Sequence, residues 1–210
     1  MAGAVAATIM VADAALHFQL RPRYSAARGT TMTHAKSEFT FTVYAPLAVA
    51  FPLFGPEGER PWAGPDWDPQ FVHPTPAQDV DGAVFRIHRG HHDAIWVNTA
   101  FDTQAGHAAY VYVIAGRLVT RIDVQLTSIN AQTTSVHVMY ERTALDPSVD
   151  EDIEEMARQH AAMGPEWEKS IADYLGRRQM LAVCSNSQQT AHALSGAEGR
   201  ITLRQLLYPE

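Results

Sequence analysis

The chain has 210 residues, 46% of them apolar, with a formal net charge of -7 and a pI near 5.8. That length and apolar share predict one globular domain with tails rather than two domains, and an acidic chain without Lys/Arg clusters is a poor nucleic-acid binder. The single cysteine, Cys184, excludes an internal disulfide, and no Cys/His spacing resembles a zinc site, so a cytoplasmic, reducing setting without metal or other cofactor is expected.

Residues 2–20 are rich in Ala, Val, Ile and Leu, which invites comparison with an export signal. No Lys or Arg precedes the apolar run, however, Asp13 interrupts it, and it is too short and too polar to span a bilayer. Residues 1–36 are therefore expected to form a disordered or loosely helical extension. Met32, just ahead of the first strand pattern, is an alternative start.

From residue 38, Phe39, Phe41 and Val43 alternate with Thr40, Thr42 and Tyr44, the period-two pattern of a half-buried strand. Pro46 suits the first position of a helix, and the apolar body to Phe54 predicts two short helical turns, bent at Pro52 and ended by Gly55-Pro56. An aromatic, proline-rich connector follows, Glu59-Arg60-Pro61-Trp62 through Trp67-Asp68-Pro69. Five strand patterns then succeed one another, near residues 83–88, 95–101, 108–115, 118–127 and 135–145. Connections this short make the sheet antiparallel. Leu118, Thr120, Ile122, Val124 and Leu126 should face inward, as should Phe85 and Ile87. The strand at 108–115 is apolar on both sides, and its pattern leaves open whether Tyr110 and Tyr112 or Val111 and Val113 face the core.

Ser148 with Glu151 three residues on reads as a capping box, and Asp150, Glu151 and Asp152 put negative charge at the positive end of the following helix. Ile153, Met156, His160, Met163, Trp167, Ile171 and Tyr174 form one apolar stripe, with a break expected at Gly164-Pro165. From Gln179 the pattern dissolves, apart from a short apolar run at 201–207, and 178–210 reads as a peripheral tail.

This order, together with Ala45-Pro46 to Phe54, the Glu59-Arg60-Pro61-Trp62 and Trp67-Asp68-Pro69 block, Gly82-Ala83-Val84-Phe85, Tyr140 with Thr143-Ala144-Leu145, and Trp167 with Tyr174-Leu175, resembles the START/Bet v 1-like superfamily, most closely its bacterial polyketide-cyclase/dehydrase-type (SRPBCC) members. The resemblance spans residues 37–177. It implies an α+β helix-grip fold, a curved antiparallel β-sheet wrapped around a long C-terminal α-helix, with an internal apolar cavity between them. Binders, cyclases, dehydratases and chaperone-binding modules share such a fold, so function must come from the site.

No nucleophile elbow, phosphate-binding loop or His-Glu-x-x-His motif is present. His88, His91 and His92 crowd one turn, which reads as a solvated polar turn rather than a metal site. His160 lies on the helical stripe and could serve as acid, base or donor, though a core histidine with a satisfied partner is the simpler reading. Tyr140 and Glu141 are the other weak catalytic candidates. Asp66 and Asp68 read as turn formers. Trp62 and Trp67 are expected to cap the open end of the core as a rim, with direct ligand contact as the alternative. The expected cavity lining comprises Trp62, Trp67, Phe85, Tyr112, Ile122, Val124, Tyr140, Met156, His160 and Trp167. Binding of an apolar or aromatic small molecule is the first reading. A cyclase or dehydratase of lyase type using His160, Tyr140 or Glu141 is the second, and a co-chaperone-like protein-binding module the third. No nucleic-acid or membrane partner is expected, and a homodimer is left open.

Overall fold

The computed structural model describes residues 32–89 and 92–198. The chain divides into two compact units, one ending at Ala172 and the other beginning at Asp173. In the first, strand β1 (His34–Val43) is followed by helix α1 (Leu47–Ala50), a 3-10 turn (Phe51–Phe54) and helix α2 (Pro56–Glu59). Strands β2 (Gln70–His73), β3 (Val84–Arg89), β4 (His92–Asp102), β5 (His107–Ile114), β6 (Leu118–Asn130) and β7 (Thr133–Ala144) follow, then helix α3 (Asp150–Ala161) and helix α4 (Gly164–Glu198).

All seven strands form one antiparallel sheet in the order β1-β7-β6-β5-β4-β3-β2. The alternation along β6 works as expected, burying Leu118, Thr120, Ile122, Val124 and Leu126, and Phe85 and Ile87 of β3 are likewise buried. Both faces of β5 are apolar, and tertiary register decides between them. Tyr110 and Tyr112 point inward with Ala108 and Ile114, because Tyr112 stands opposite Trp96 on β4 and Thr120 on β6. The predicted reversal at Gly116 forms with that residue at φ 70°, a conformation costly for any side chain with a Cβ.

Several local expectations are corrected. Pro46 is the residue preceding α1 rather than its first member, and the bend at Pro52 is a change from α to 3-10 winding. Gly55-Pro56 does not end the helical region, since Pro56 opens α2, whose first N–H groups at Glu57 and Gly58 are taken by the Asp79 carboxylate at 2.9 and 3.1 Å. Strand β2 went unread because four residues carry too little periodicity. The capping box does not form. Asp146 instead accepts from the Ser148 N–H at 2.8 Å and starts a 3-10 turn (Pro147–Val149) ahead of α3, whose acidic first turn is as expected.

Helix α3 packs on β1 and β7. The stripe breaks where anticipated, between Ala161 and Gly164, and Met163 accepts from the N–H groups of Glu166 and Trp167 at the start of α4. Gly164 sits against β1, where a Cβ would come within 3.2 Å of the Thr40 carbonyl oxygen. The free edge of β1 is covered at one point, where the Thr42 N–H meets Glu168 Oε2 at 3.1 Å. In the second unit the helix runs on to Glu198, well past the point where the apolar stripe fades, and Arg178 stacks 5.8 Å above the Tyr174 ring. The run at 201–207 and residues 1–31 lie outside the described residues.

Candidate functional site

Apart from Glu141, the expected site residues fall into three groups on the inward-facing side of the sheet. In the first, Trp167 is the hub, with ring centroids 5.2 Å from Phe39, 5.3 Å from Trp62 and 6.1 Å from Phe41. Phe54 completes it at 6.0 Å from Trp62. The second group surrounds Trp96, which lies 4.4 Å from Tyr112, 5.4 Å from Trp67 and 5.7 Å from Phe85. Sequence reasoning had not singled out Trp96, although it shares a face with Ala94 on β4.

Trp62 and Trp67 are thus core residues, 4% and 5% exposed, and not an open rim. Their indole N–H groups donate to the carbonyls of Leu53 at 2.8 Å and Pro56 at 2.9 Å. The connector folds inward because Arg60 fastens its two ends. Its Nε donates to Glu57 Oε1 at 2.8 Å, its Nη1 to Asp68 Oδ1 at 2.5 Å and its Nη2 to the Pro69 carbonyl. The Arg60 hydrogen bond holds the Asp68 carboxyl below its ordinary value, while Asp66 is exposed.

The third group is polar. Tyr140 and His160 meet with ring centroids 4.5 Å apart, and the Arg142 guanidinium lies 4.6 Å over the Tyr140 ring. Arg142 donates through Nη1 to Ser37 Oγ at 3.4 Å and through Nη2 to His160 Nδ1. Because a guanidinium cannot accept, that contact makes Nδ1 the acceptor and assigns the imidazole proton to Nε2. Glu141 is corrected: consecutive strand residues face opposite ways, so with Tyr140 and Arg142 inward Glu141 lies on the outer face. There it pairs with Arg121 at 2.8 Å and His34 at 3.3 Å. Ile122 and Val124 are buried beside this group on β6, and Met156 is buried on α3.

The strand register aligns these side chains. Phe85, Trp96, Tyr112, Thr120 and Arg142 stand opposite one another from β3 to β7, forming one inward-facing row. Three atoms of that row, Trp96 Nε1, Thr120 Oγ1 and Arg142 Nε, are buried with no hydrogen-bond partner among the described residues. A neighbouring row carries Asn98, Tyr110, Ile122, Tyr140 and Ser37. Between β1 and α3 opens a groove of about 440 Å³ lined by Lys36, Ser37, Glu38, Ala157, Arg158 and Ala161. Ser37 thus belongs both to the groove and to the Arg142 contact.

A buried acid also faces this interior. Glu59, 5% exposed at the end of α2, has its carboxyl raised well above the usual range, first by burial and then by the charge of Asp79. Its Oε2 has no partner among the described residues. Burial, then the charges of Glu59, Asp79 and Tyr140, likewise raises the Tyr110 phenol, which donates to the Phe54 carbonyl. Glu59 entered the sequence reading only as part of the connector motif, and neither it nor Arg142 was a site candidate there. Arg142 was readable as sharing the face of Tyr140, whereas Glu59 becomes interior only once α2 is known.

At the β3–β4 turn, His88 Nδ1 pairs with Asp93 Oδ1 at 2.6 Å, while Gly90 and His91 lie outside the described residues. Among the described residues no group of three or more His, Cys, Asp or Glu is placed to hold a metal ion, and no helix is long and apolar enough to cross a membrane.

No protein-family model matches the sequence, and no curated protein sequence matches it either. Solved structures do. An aromatase/cyclase from Streptomyces is 12% identical, covering 69% of this chain and 96% of its own, with a TM-score of 0.51. A norcoclaurine synthase from Thalictrum flavum is 9% identical over 71% of this chain and 88% of its own, with a TM-score of 0.50. An uncharacterised protein from Rhizobium leguminosarum is 14% identical over 68% and 97%, also at 0.50. At such identities the likeness speaks to backbone architecture, and the seven-stranded antiparallel sheet with its C-terminal helix is consistent with it. The chain has the α+β helix-grip fold of these solved structures.

Proposed function

We propose that this chain binds an apolar or aromatic small molecule on the concave side of its sheet. The observation that carries the reading is the row from Phe85 to Arg142, where stacked rings adjoin buried polar atoms that no described residue satisfies. Buried donors normally have partners, and a mostly apolar enclosure with a few convergent polar groups is the usual chemistry of a small-molecule site. The norcoclaurine synthase of the same fold was solved in complex with dopamine and hydroxybenzaldehyde, which supports the aromatic class. Native mass spectrometry of protein purified from its own host should find a retained small molecule. A bare mass, with no change in tryptophan fluorescence against an aromatic library, overturns the reading.

A second reading, a cyclase- or dehydratase-type catalyst, is favoured by the polar groups themselves. Burial raises the Glu59 carboxyl well above its ordinary value, which favours the form that can donate, and His160, accepting from Arg142 at Nδ1, keeps Nε2 for its proton. Its test is turnover of whatever molecule is retained. Loss of turnover with retained binding in Glu59→Gln supports it, and turnover equal to the parent removes Glu59 from the chemistry.

A further inference from the structure

We infer that the molecule bound on the concave side bears a carboxylate, and that Arg142 is its receptor. The inference rests on the small-molecule reading above and names the ligand's class. Arg142 is 0% exposed, and its described contacts are a serine hydroxyl, a neutral imidazole nitrogen and a tyrosine ring. None carries negative charge. Among the described residues no carboxylate forms an ion pair with it, although other arginines in the fold have such partners, Arg60 with Glu57 and Arg121 with Glu141. Burying a guanidinium without a counter-charge is costly, and an anion supplied from outside offsets that cost.

The geometry selects the kind of anion. Two guanidinium nitrogens are engaged, Nη1 and Nη2, and Nε is not. Thr120, directly opposite Arg142 on β6, has a buried hydroxyl without a described partner, so cross-strand neighbours each carry an unsatisfied buried donor. One monovalent cation plus a hydroxyl matches a planar monoanion, whereas a phosphate dianion calls for more donors and charge. The flanking members of the row, Tyr112 and Trp96, supply rings for an aromatic body joined to that carboxylate. Ser37, a hydrogen-bond partner of Arg142, also lines the groove between β1 and α3, beside Lys36, Glu38 and Arg158.

The test compares naphthoate with its methyl ester on the full chain, by calorimetry or fluorescence titration. The expected result is naphthoate bound about tenfold to a hundredfold more tightly than the ester, in line with a charge-assisted bond to a buried donor. Arg142→Met should abolish that preference, and Arg142→Lys should keep part of it. Equal affinity of the parent for both compounds overturns the carboxylate inference but leaves the small-molecule reading standing. Naphthalenesulfonate bound more tightly than naphthoate overturns the carboxylate assignment in the same way. Binding of none of these overturns the inference and counts against the reading beneath it. If Arg142→Met fails to give a cooperative urea transition, the parent's acid-to-ester ratio and the Lys variant decide.

Discussion

Trp62 donates its indole N–H to the Leu53 carbonyl at 2.8 Å, and so ties the start of the connector to the turn the chain has just left. Both groups are buried, and Trp62 also contacts Phe54 and Trp167. Trp62→Phe keeps most of the ring packing but orphans the carbonyl. It should cost about 1–3 kcal/mol. Trp62→Ala should cost about 3–5 kcal/mol. Urea unfolding of both variants checks the order, and a Phe variant as stable as the parent shows that the hydrogen bond contributes nothing.

Glu59 predicts a pH dependence with a definite sign. Its folded-state pKa is raised above the ordinary 4.5, so between the two values the folded chain holds a proton that the unfolded chain has lost. Its contribution is therefore fully present below about pH 4.5 and is lost as pH rises through the folded pKa. Glu59→Gln, which mimics the protonated acid, should flatten that decline and leave the variant at least as stable as the parent at neutral pH. Urea midpoints from pH 4 to pH 8 test it, and parallel curves for parent and variant refute it.

Gly58 has no room for a side chain. A Cβ there would stand 1.7 Å from the Pro52 carbonyl oxygen, a backbone atom that can yield only if the 3-10 turn moves. Gly58→Ala should destabilise by about 1–3 kcal/mol or more, although Ala is the better helix former. Thermal melts of the variant check this, and an unchanged midpoint means that the approach of α2 to the turn is looser than described.

Thr120 gives the opposite expectation. Its buried hydroxyl lacks a described partner, so Thr120→Val removes an unsatisfied group at nearly constant volume. The ligand-free protein should gain up to about 1 kcal/mol in urea unfolding, while affinity for naphthoate falls. A loss of stability of the same size would show that the hydroxyl is satisfied in solution.

How far the sequence alone could be read depends on where physical information resides. Period-two alternation in β6 separated Ile122 and Val124 from Arg121 and Asp123 without help, because one face is charged. Strand β5 has no such contrast, so only its register with Trp96 and Thr120 chose Tyr110 and Tyr112 for the interior. The connector's place between the first helices and the sheet was legible, but its burial was not. That burial depends on Arg60 reaching Asp68 and the Pro69 carbonyl, a contact with no local signature. Placing both Tyr140 and Glu141 inside was inconsistent with strand geometry from the outset. The same alternation would have named Arg142 instead.

The pairing of β1 sets the order of events as the chain is made. Among the described residues β1 pairs only with β7, and His34 meets Thr143 across 109 residues of sequence. At a synthesis rate of about 5–20 residues per second, the first strand to be made waits roughly 5–20 s for its neighbour. Throughout that interval Phe39, Phe41 and Val43 have neither β7 beside them nor Trp167 above them. The earliest strand of the sheet is thus the last to be sheltered, and it offers apolar side chains to a chaperone at the ribosome throughout that wait.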